Sequence, residues 1–369
     1  VCPDIHTGRV RVEVALTEAP ELPADLVLRV RDGRRLVAEE RVPAGTAAVN
    51  AWVTLKDFGL WSPAHPKLYG LEVSVVARRG RRVLDRVDLR FGMRAIRTDA
   101  QRFYLNDQPI YVRCFGDDQF YPHSLAPPPD KAWYLERLRR ARAYGFCASK
   151  SCVEILPQEY VEAADEAGVL LIQEMPFGLS GLRANREVID ERFRDYYRRE
   201  ADGLIRDSRN HASVVAFSMC SEMGIGTQES FDFFCRELPL LSRRLAPHAL
   251  VIDCTGYETS LATAKGERNT DFYATVHPLW VKDVLDETDM ATDRKRPTIL
   301  HEYNWWSCYP DPQDRFRWES TQFHPYWLDT LEEKFHLCLY RESKEGRIDP
   351  SDGGTHGERI TEKRDHIAS

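Results

Sequence analysis

Two glutamates in this sequence stand where a carboxylate could do work. The stretch Ser213 to Gly224, SVVAFSMCSEMG, begins as an apolar run and reaches Ser221-Glu222. The stretch Pro297 to Tyr303, PTILHEY, behaves alike and ends on His301-Glu302-Tyr303. One acid at a strand end is ordinarily a helix cap or half of a structural ion pair. Two of them, with His277, Trp280, Trp305 and Trp306 in the neighbouring segments, fit another use. Glycosidic bonds are cleaved by a pair of carboxyl groups. One is protonated and donates to the leaving oxygen; the other is ionised and attacks the anomeric carbon or activates water. Opposite protonation states at one pH require different surroundings. A nearby carboxylate raises a pKa by repulsion, and a hydrogen-bond donor lowers it. Indole faces suit the apolar C–H face of a sugar ring.

Such residues need a frame. Residues 1–97 read as strands: RVRVEVAL (9–16), DLVLRVRD (25–32) and LEVSVVARRG (71–80) alternate apolar and polar positions, with Pro and Gly between them. Short, evenly spaced, half-buried strands predict an antiparallel β-sandwich of about seven strands. Farther on the pattern changes. PIYVRCFG (109–116), FCASKSCV (146–153), VLLIQEMP (169–176), LVIDCTG (250–256) and FYATVHP (272–278) join the two runs above as strand-like segments, most of them continuously apolar. Helical stretches stand between them, including 130–145, 157–168 and 189–208. Apolar strands alternating with helices predict a parallel sheet covered on both faces, either doubly wound or an eight-fold (β/α)8 barrel. The expected division is a sandwich over 1–97, an α/β catalytic domain over 98–340 and a polar, disordered tail over 341–369. No run after Glu302 reads as an eighth strand.

A barrel places its active site at the C-terminal ends of its strands. Asp117 or Asp118 would then face a sugar, Glu174 would either contact it or pair with Lys150, and His277 would bind a hydroxyl. Tyr303 would hydrogen-bond Glu302 and keep it ionised. His301 points the opposite way on a regular strand and reads as structural. Arg209-Asn210-His211 would brace the base of the fourth strand, and Asp165 and Glu166, on a helix, read as solvated.

The bulk numbers narrow the class. The 369 residues carry a formal net charge of −7 and 43% apolar residues, enough for a sizeable core. No basic stripe is available to neutralise phosphates, so nucleic acid is not an expected partner. The Arg-rich runs at 78–82 and 137–142 read as a hairpin turn and a solvated helix face. Nine cysteines occur without a C-x-x-C pair, which leans toward a reducing, cytoplasmic setting and gives zinc ribbons no support. No run is long enough for a membrane helix. No His, Asp and Glu cluster has ligand spacing, so no metal and no cofactor is expected. The chain opens on Val1 inside what already reads as a folded domain, so any leader is gone and the sequence reads as a piece of a longer protein. Homo-oligomerisation is left open.

Five segments, in order, resemble glycoside hydrolase family 2, the group of β-galactosidases, β-glucuronidases and β-mannosidases. They are FGLWSPAHPKLYGLEV (58–73), FYLNDQPIYVRCFG (103–116), YVEAADEAGVLLIQEMP (160–176), IRDSRNHASVVAFSMCSE (205–222) and PTILHEYNWWSCYPDP (297–312). The resemblance implies an immunoglobulin-like sandwich before a TIM-type barrel, incomplete at its C-terminal end. It also implies retaining hydrolysis of terminal non-reducing β-glycosides, with Glu222 as acid/base and Glu302 as nucleophile. Retention would set those carboxyls about 5–5.5 Å apart. The chain departs from the family pattern at four places, two of them RNHA (209–212) for its usual RNHP and HEYN (301–304) for its usual Glu-Tyr-Gly. Ser221 stands where the family has an asparagine that donates to the sugar 2-hydroxyl, and Lys150 stands where it has an arginine, keeping the charge without the planar fork. Lys150 is also the candidate partner for a uronic acid. The family's leading sugar-binding module has no counterpart in this sequence. These departures keep a second expectation alive: a catalytically silent relative that binds carbohydrate or a partner chain. A third is a truncated product with no function of its own.

Overall fold

The computed structural model describes residues 1–45, 48–119, 121, 124–177, 190–221, 227–255, 267–275 and 296–300. The N-terminal strands are β1 (Cys2–Pro3), β2 (Arg9–Ala15), β3 (Ala24–Asp32), β4 (Arg35–Pro43), β5 (Ala48–Thr54), β6 (Tyr69–Ala77) and β7 (Val83–Phe91). They form two antiparallel sheets, β1-β2-β5 and β4-β3-β6-β7. Period-two alternation gives each sheet an apolar face. Val10, Val12, Ala51 and Val53 of the first and Leu26, Leu28, Val30, Leu71 and Val73 of the second share one core. The Arg-rich run turns between β6 and β7, with Gly80 and Arg81 both at positive φ.

A small antiparallel sheet follows: β8 (Ile96–Thr98), β9 (Phe103–Leu105) and β10 (Gln108–Ile110). The β9–β10 loop is Asn106-Asp107, with φ of 52° and 62°. Both residues at positive φ is what a two-residue turn joining right-twisted strands requires. The run 109–116, expected as one strand, is therefore divided. Gln108–Ile110 closes this hairpin, and Cys114–Asp117 begins the next sheet as β11.

That sheet is parallel. It continues with β12 (Ala148–Ser151), β13 (Leu170–Glu174), β14 (Val214–Ser218) and β15 (Leu250–Ile252). Parallel bridges from Ser221 to Thr255 and from Thr255 to Ala274 carry it on to β16 (Tyr273–Thr275), which pairs with β17 (Thr298–Leu300). Seven parallel strands thus neighbour one another in sequence order. A doubly wound sheet reverses its strand order at a switch point. Among the described strands there is no reversal.

The helices between the strands are α1 (Lys131–Ala143), α2 (Gln158–Ala167), α3 (Glu191–Ser208), α4 (Gln228–Asp232) and, after one π turn, α5 (Leu238–Leu245). Asp130, Asp190 and Thr227 cap the first, third and fourth by accepting from backbone N–H groups. Gly168 ends α2 at φ 72°. One face of the sheet (Leu171, Val214, Phe217, Val251) packs on helix residues Tyr134, Leu138, Tyr160, Tyr197 and Phe234. The other face (Ile172, Ala216, Leu250, Ile252, Ala274) packs with Phe103. Both faces are covered, which is why these strands lack alternation in the sequence.

Candidate functional site

Along the face opposite the helices, polarity rises toward the C-terminal ends of the strands. On β13 the alternate positions are Leu170, Ile172 and Glu174; on β12 they are Ala148 and Lys150. Leu170, Ile172 and Ala148 are buried among apolar neighbours. Lys150 and Glu174, one step farther, are buried polar groups with 5% and 0% exposure.

These two form an ion pair. Lys150 Nζ lies 3.0 Å from Glu174 Oε2. The same oxygen accepts the backbone N–H of Val153 at 2.9 Å. Glu174 Oε1 accepts the hydroxyl of Thr255. Burial opposes the charge of Lys150, and the Glu174 carboxylate more than offsets it, so the ammonium is held above the ordinary lysine range. Both side chains serve each other. That geometry supports the ion-pair reading of Glu174, and it leaves Lys150 without a free charge to offer a uronate.

Ser221 is fixed from two sides. Its N–H donates to the carbonyl of Phe177 at 3.2 Å. Its hydroxyl lies 3.0 Å from Thr255 Oγ1. The residue is 5% exposed. Thr255, fully buried, donates its own N–H to the Cys220 carbonyl at 3.0 Å. It was not singled out in the sequence; its signal is the end of LVIDCTG, a polar residue just before a glycine.

Asp117 is not placed for a sugar. It is 1% exposed and turned to the helix side. Its oxygens accept from Arg137 at 2.9 Å, from the Tyr160 hydroxyl at 3.0 Å and from the Gln119 N–H at 3.1 Å. It ties β11 to α1 and α2. Asp118 is exposed at the same strand end. It neighbours the thiol of Cys152, which burial pushes up to about 12.

Two of these strand ends hold backbone strain. Gln119, beyond β11, has φ 54°, and Val153, beyond β12, has φ 48°. A β-branched residue in the left-handed region costs on the order of 1–3 kcal/mol and persists where its surroundings over-determine it. The carboxylate of Glu174 does so at Val153 by holding its N–H.

Farther from the strand ends, the Arg209-Asn210-His211 segment braces the base of β14. Arg209 donates to the Leu245 carbonyl at 2.7 Å, and His211 Nδ1 lies 2.7 Å from Asp165. The expectation for Asp165 is corrected: it is 1% exposed and also accepts the Ser213 N–H at 2.7 Å. Glu166 pairs with Arg90 and Lys131. Among the described residues no group of three His, Cys, Asp or Glu side chains could hold a metal, and no helix is long and apolar enough to cross a membrane. Glu222, His277, Trp280, His301, Glu302, Tyr303, Trp305, Trp306 and the tail 341–369 lie outside the described residues.

The sequence profile of glycosyl hydrolases family 2 matches residues 1–94. The chain is 26% identical over 197 residues to a β-glucuronidase of Paenibacillus borealis, covering 51% of this chain and 32% of that protein. It is 24% identical over 188 residues to a β-galactosidase of Thermoanaerobacter pseudethanolicus, covering 50% and 23%. The chain thus spans a third or less of the length of these relatives. Among solved structures, the β-D-glucuronidase of Dictyoglomus thermophilum superposes with a TM-score of 0.65 at 19% identity, over 81% of this chain and 52% of that one. This last likeness is one of fold. The family profile on the N-terminal sheets, the relatives and the fold neighbours thus all point, each over part of the chain, to a similarity with glycosyl hydrolase family 2.

Proposed function

We propose that the chain carries the catalytic platform of a retaining β-glycosidase acting on terminal non-reducing β-glycosides, with Glu222 as acid/base and Glu302 as nucleophile. The reading assigns residues 1–97 to an immunoglobulin-like sandwich and 98–340 to a TIM-type barrel.

One observation carries it. Seven parallel strands stand in sequence order, and on β12 and β13 the face opposite the helices turns from apolar to polar at the C-terminal end. That is where a barrel of this winding does its chemistry. The strand that leads to Glu222 is anchored up to its last described residue, Ser221, by bonds from Phe177 and Thr255. A fixed mount matters because a misplacement of about 1 Å at a reacting group can cost roughly 10²-fold in rate. Galactosides and glucuronides are the substrates named for the relatives.

A silent carbohydrate-binding relative is the second reading. The engagement of Ser221 by Thr255 favours it, because that hydroxyl replaces an asparagine amide expected to donate to the substrate.

Hydrolysis of a panel of aryl β-glycosides by the wild-type chain, Glu222→Gln and Glu302→Gln decides between them. Turnover by wild type, lost in both variants, is the expected result. A folded wild-type chain that binds a sugar and turns over none of the panel overturns the catalytic reading in favour of the binding one.

A further inference from the structure

Thr255 stands where three strands meet. Its backbone bridges Ser221 at the end of β14 and Ala274 of β16. Its hydroxyl is within hydrogen-bond reach of three acceptors: Glu174 Oε1, Ser221 Oγ at 3.0 Å and the Cys220 carbonyl at 3.4 Å. The other oxygen of Glu174 is held by the Lys150 ammonium and the Val153 N–H, so the carboxylate cannot turn away. Thr255 thus joins a fixed carboxylate to Ser221.

We propose that Thr255 is a positioning residue, which transmits the fixed carboxylate of Glu174 to Ser221 and so sets the direction in which the chain leaves β14 toward Glu222. The assignment rests on the acid/base role given to Glu222 above. Thr255 itself does not touch the substrate.

The test compares wild type, Thr255→Val and Thr255→Ser on the phenyl and 2,4-dinitrophenyl β-glycosides of the sugar that the panel identifies. Departure of phenoxide needs the proton of a well-aimed acid; departure of dinitrophenoxide hardly does. Thr255→Val is expected to lower kcat on the phenyl glycoside by roughly 10- to 100-fold, with a much smaller loss on the dinitrophenyl glycoside and little change in KM. Thr255→Ser, which restores the hydroxyl, is expected to recover most of the loss. Equal losses on both substrates, no loss at all, or failure of Thr255→Ser to recover in a folded protein would overturn the assignment while leaving the glycosidase reading intact. If Thr255→Val does not fold, Ser221→Ala removes the other end of the same bond and must give the same leaving-group pattern. A folded wild-type chain inert on every glycoside overturns the glycosidase reading and this assignment with it.

Discussion

The indole N–H of Trp61 donates to the backbone carbonyl of Asp165 at 2.9 Å, joining positions 104 residues apart. Trp61 is fully buried, and its own carbonyl accepts from the Asn106 side chain at 2.9 Å. The carboxylate of Asp165 in turn holds His211 and Ser213 at the base of β14. One tryptophan thus links the antiparallel sheets, the β9–β10 turn and α2. Trp61→Phe should cost about 2–3 kcal/mol, from the lost hydrogen bond and the smaller ring, and Trp61→Ala about 3–5 kcal/mol. Urea unfolding of the three proteins gives the comparison, and equal midpoints would refute the linking role.

Gly92 makes room for that tryptophan. A Cβ added there would lie 2.6 Å from Trp61 Cβ and 2.8 Å from Ala212 Cβ. Its φ is not in the left-handed region, so the constraint is one of space. Gly92→Ala should destabilise by about 1–3 kcal/mol through overpacking. Ala212→Gly, added to it, should return part of the loss. A double variant no more stable than Gly92→Ala in a thermal melt would show the crowding lies elsewhere.

The Lys150–Glu174 pair is expected to behave as a coupled unit. Lys150→Met leaves a buried carboxylate without its cation, and Glu174→Gln leaves a buried ammonium without its anion; each should cost about 3–5 kcal/mol. The double variant, with neither charge, should cost less than the sum of the two. Chemical denaturation of all four proteins closes the cycle. Strict additivity would mean that the two groups do not depend on each other.

His248 makes stability depend on pH. Its Nε2 donates to the Arg209 carbonyl at 2.7 Å, and the Cys2 thiol lies 3.5 Å from Nδ1. Burial, and then the Arg94 guanidinium, push its pKa down to about 3. The folded chain keeps the ring neutral where the unfolded chain, with an ordinary value of about 6.5, takes up a proton. The sign follows. Above pH 6.5 neither state gains a proton and the stability is whole. Below it the unfolded state is favoured, and stability is lost progressively until the folded ring also protonates. At pH 5 the loss from this residue should be roughly 2 kcal/mol. Melting curves between pH 7 and 5 should fall, and His248→Asn should flatten that fall; an unchanged slope in the variant would remove His248 as the cause.

Much of this architecture was legible from local chemistry. Gly168 closes α2 at positive φ, as a glycine after a helical run should. The unalternating runs became strands covered on both faces. What local chemistry could not supply was partners distant in sequence. Asp165 reads as solvated because it is an acid on a helix, yet its partner Ser213 is 48 residues away. Asp117 reads as a sugar contact because it ends a strand, but the alternation of β11 turns it toward Arg137 and Tyr160. Gly168 has a second reason to be glycine that no helix rule gives: a Cβ there would lie 2.7 Å from the Pro63 carbonyl. Thr255 escaped notice because nothing in a lone threonine announces a carboxylate across two strands.

Arg94 bears on how this protein can be divided. It is 2% exposed, and its guanidinium donates to three backbone carbonyls: Ala212 at 2.9 Å, His248 at 2.7 Å and Val214. All three lie at the bases of β14 and β15, more than a hundred residues downstream. Cutting the chain near residue 97 would free the parallel sheet from its neighbour in sequence. It would also leave three acceptors at the floor of that sheet facing solvent that was never there. The seam between the strand-rich and helix-rich halves is thus a place where the sequence changes character without the fold becoming separable. A stable N-terminal truncation would have to carry Arg94, and the sheets that hold it, along.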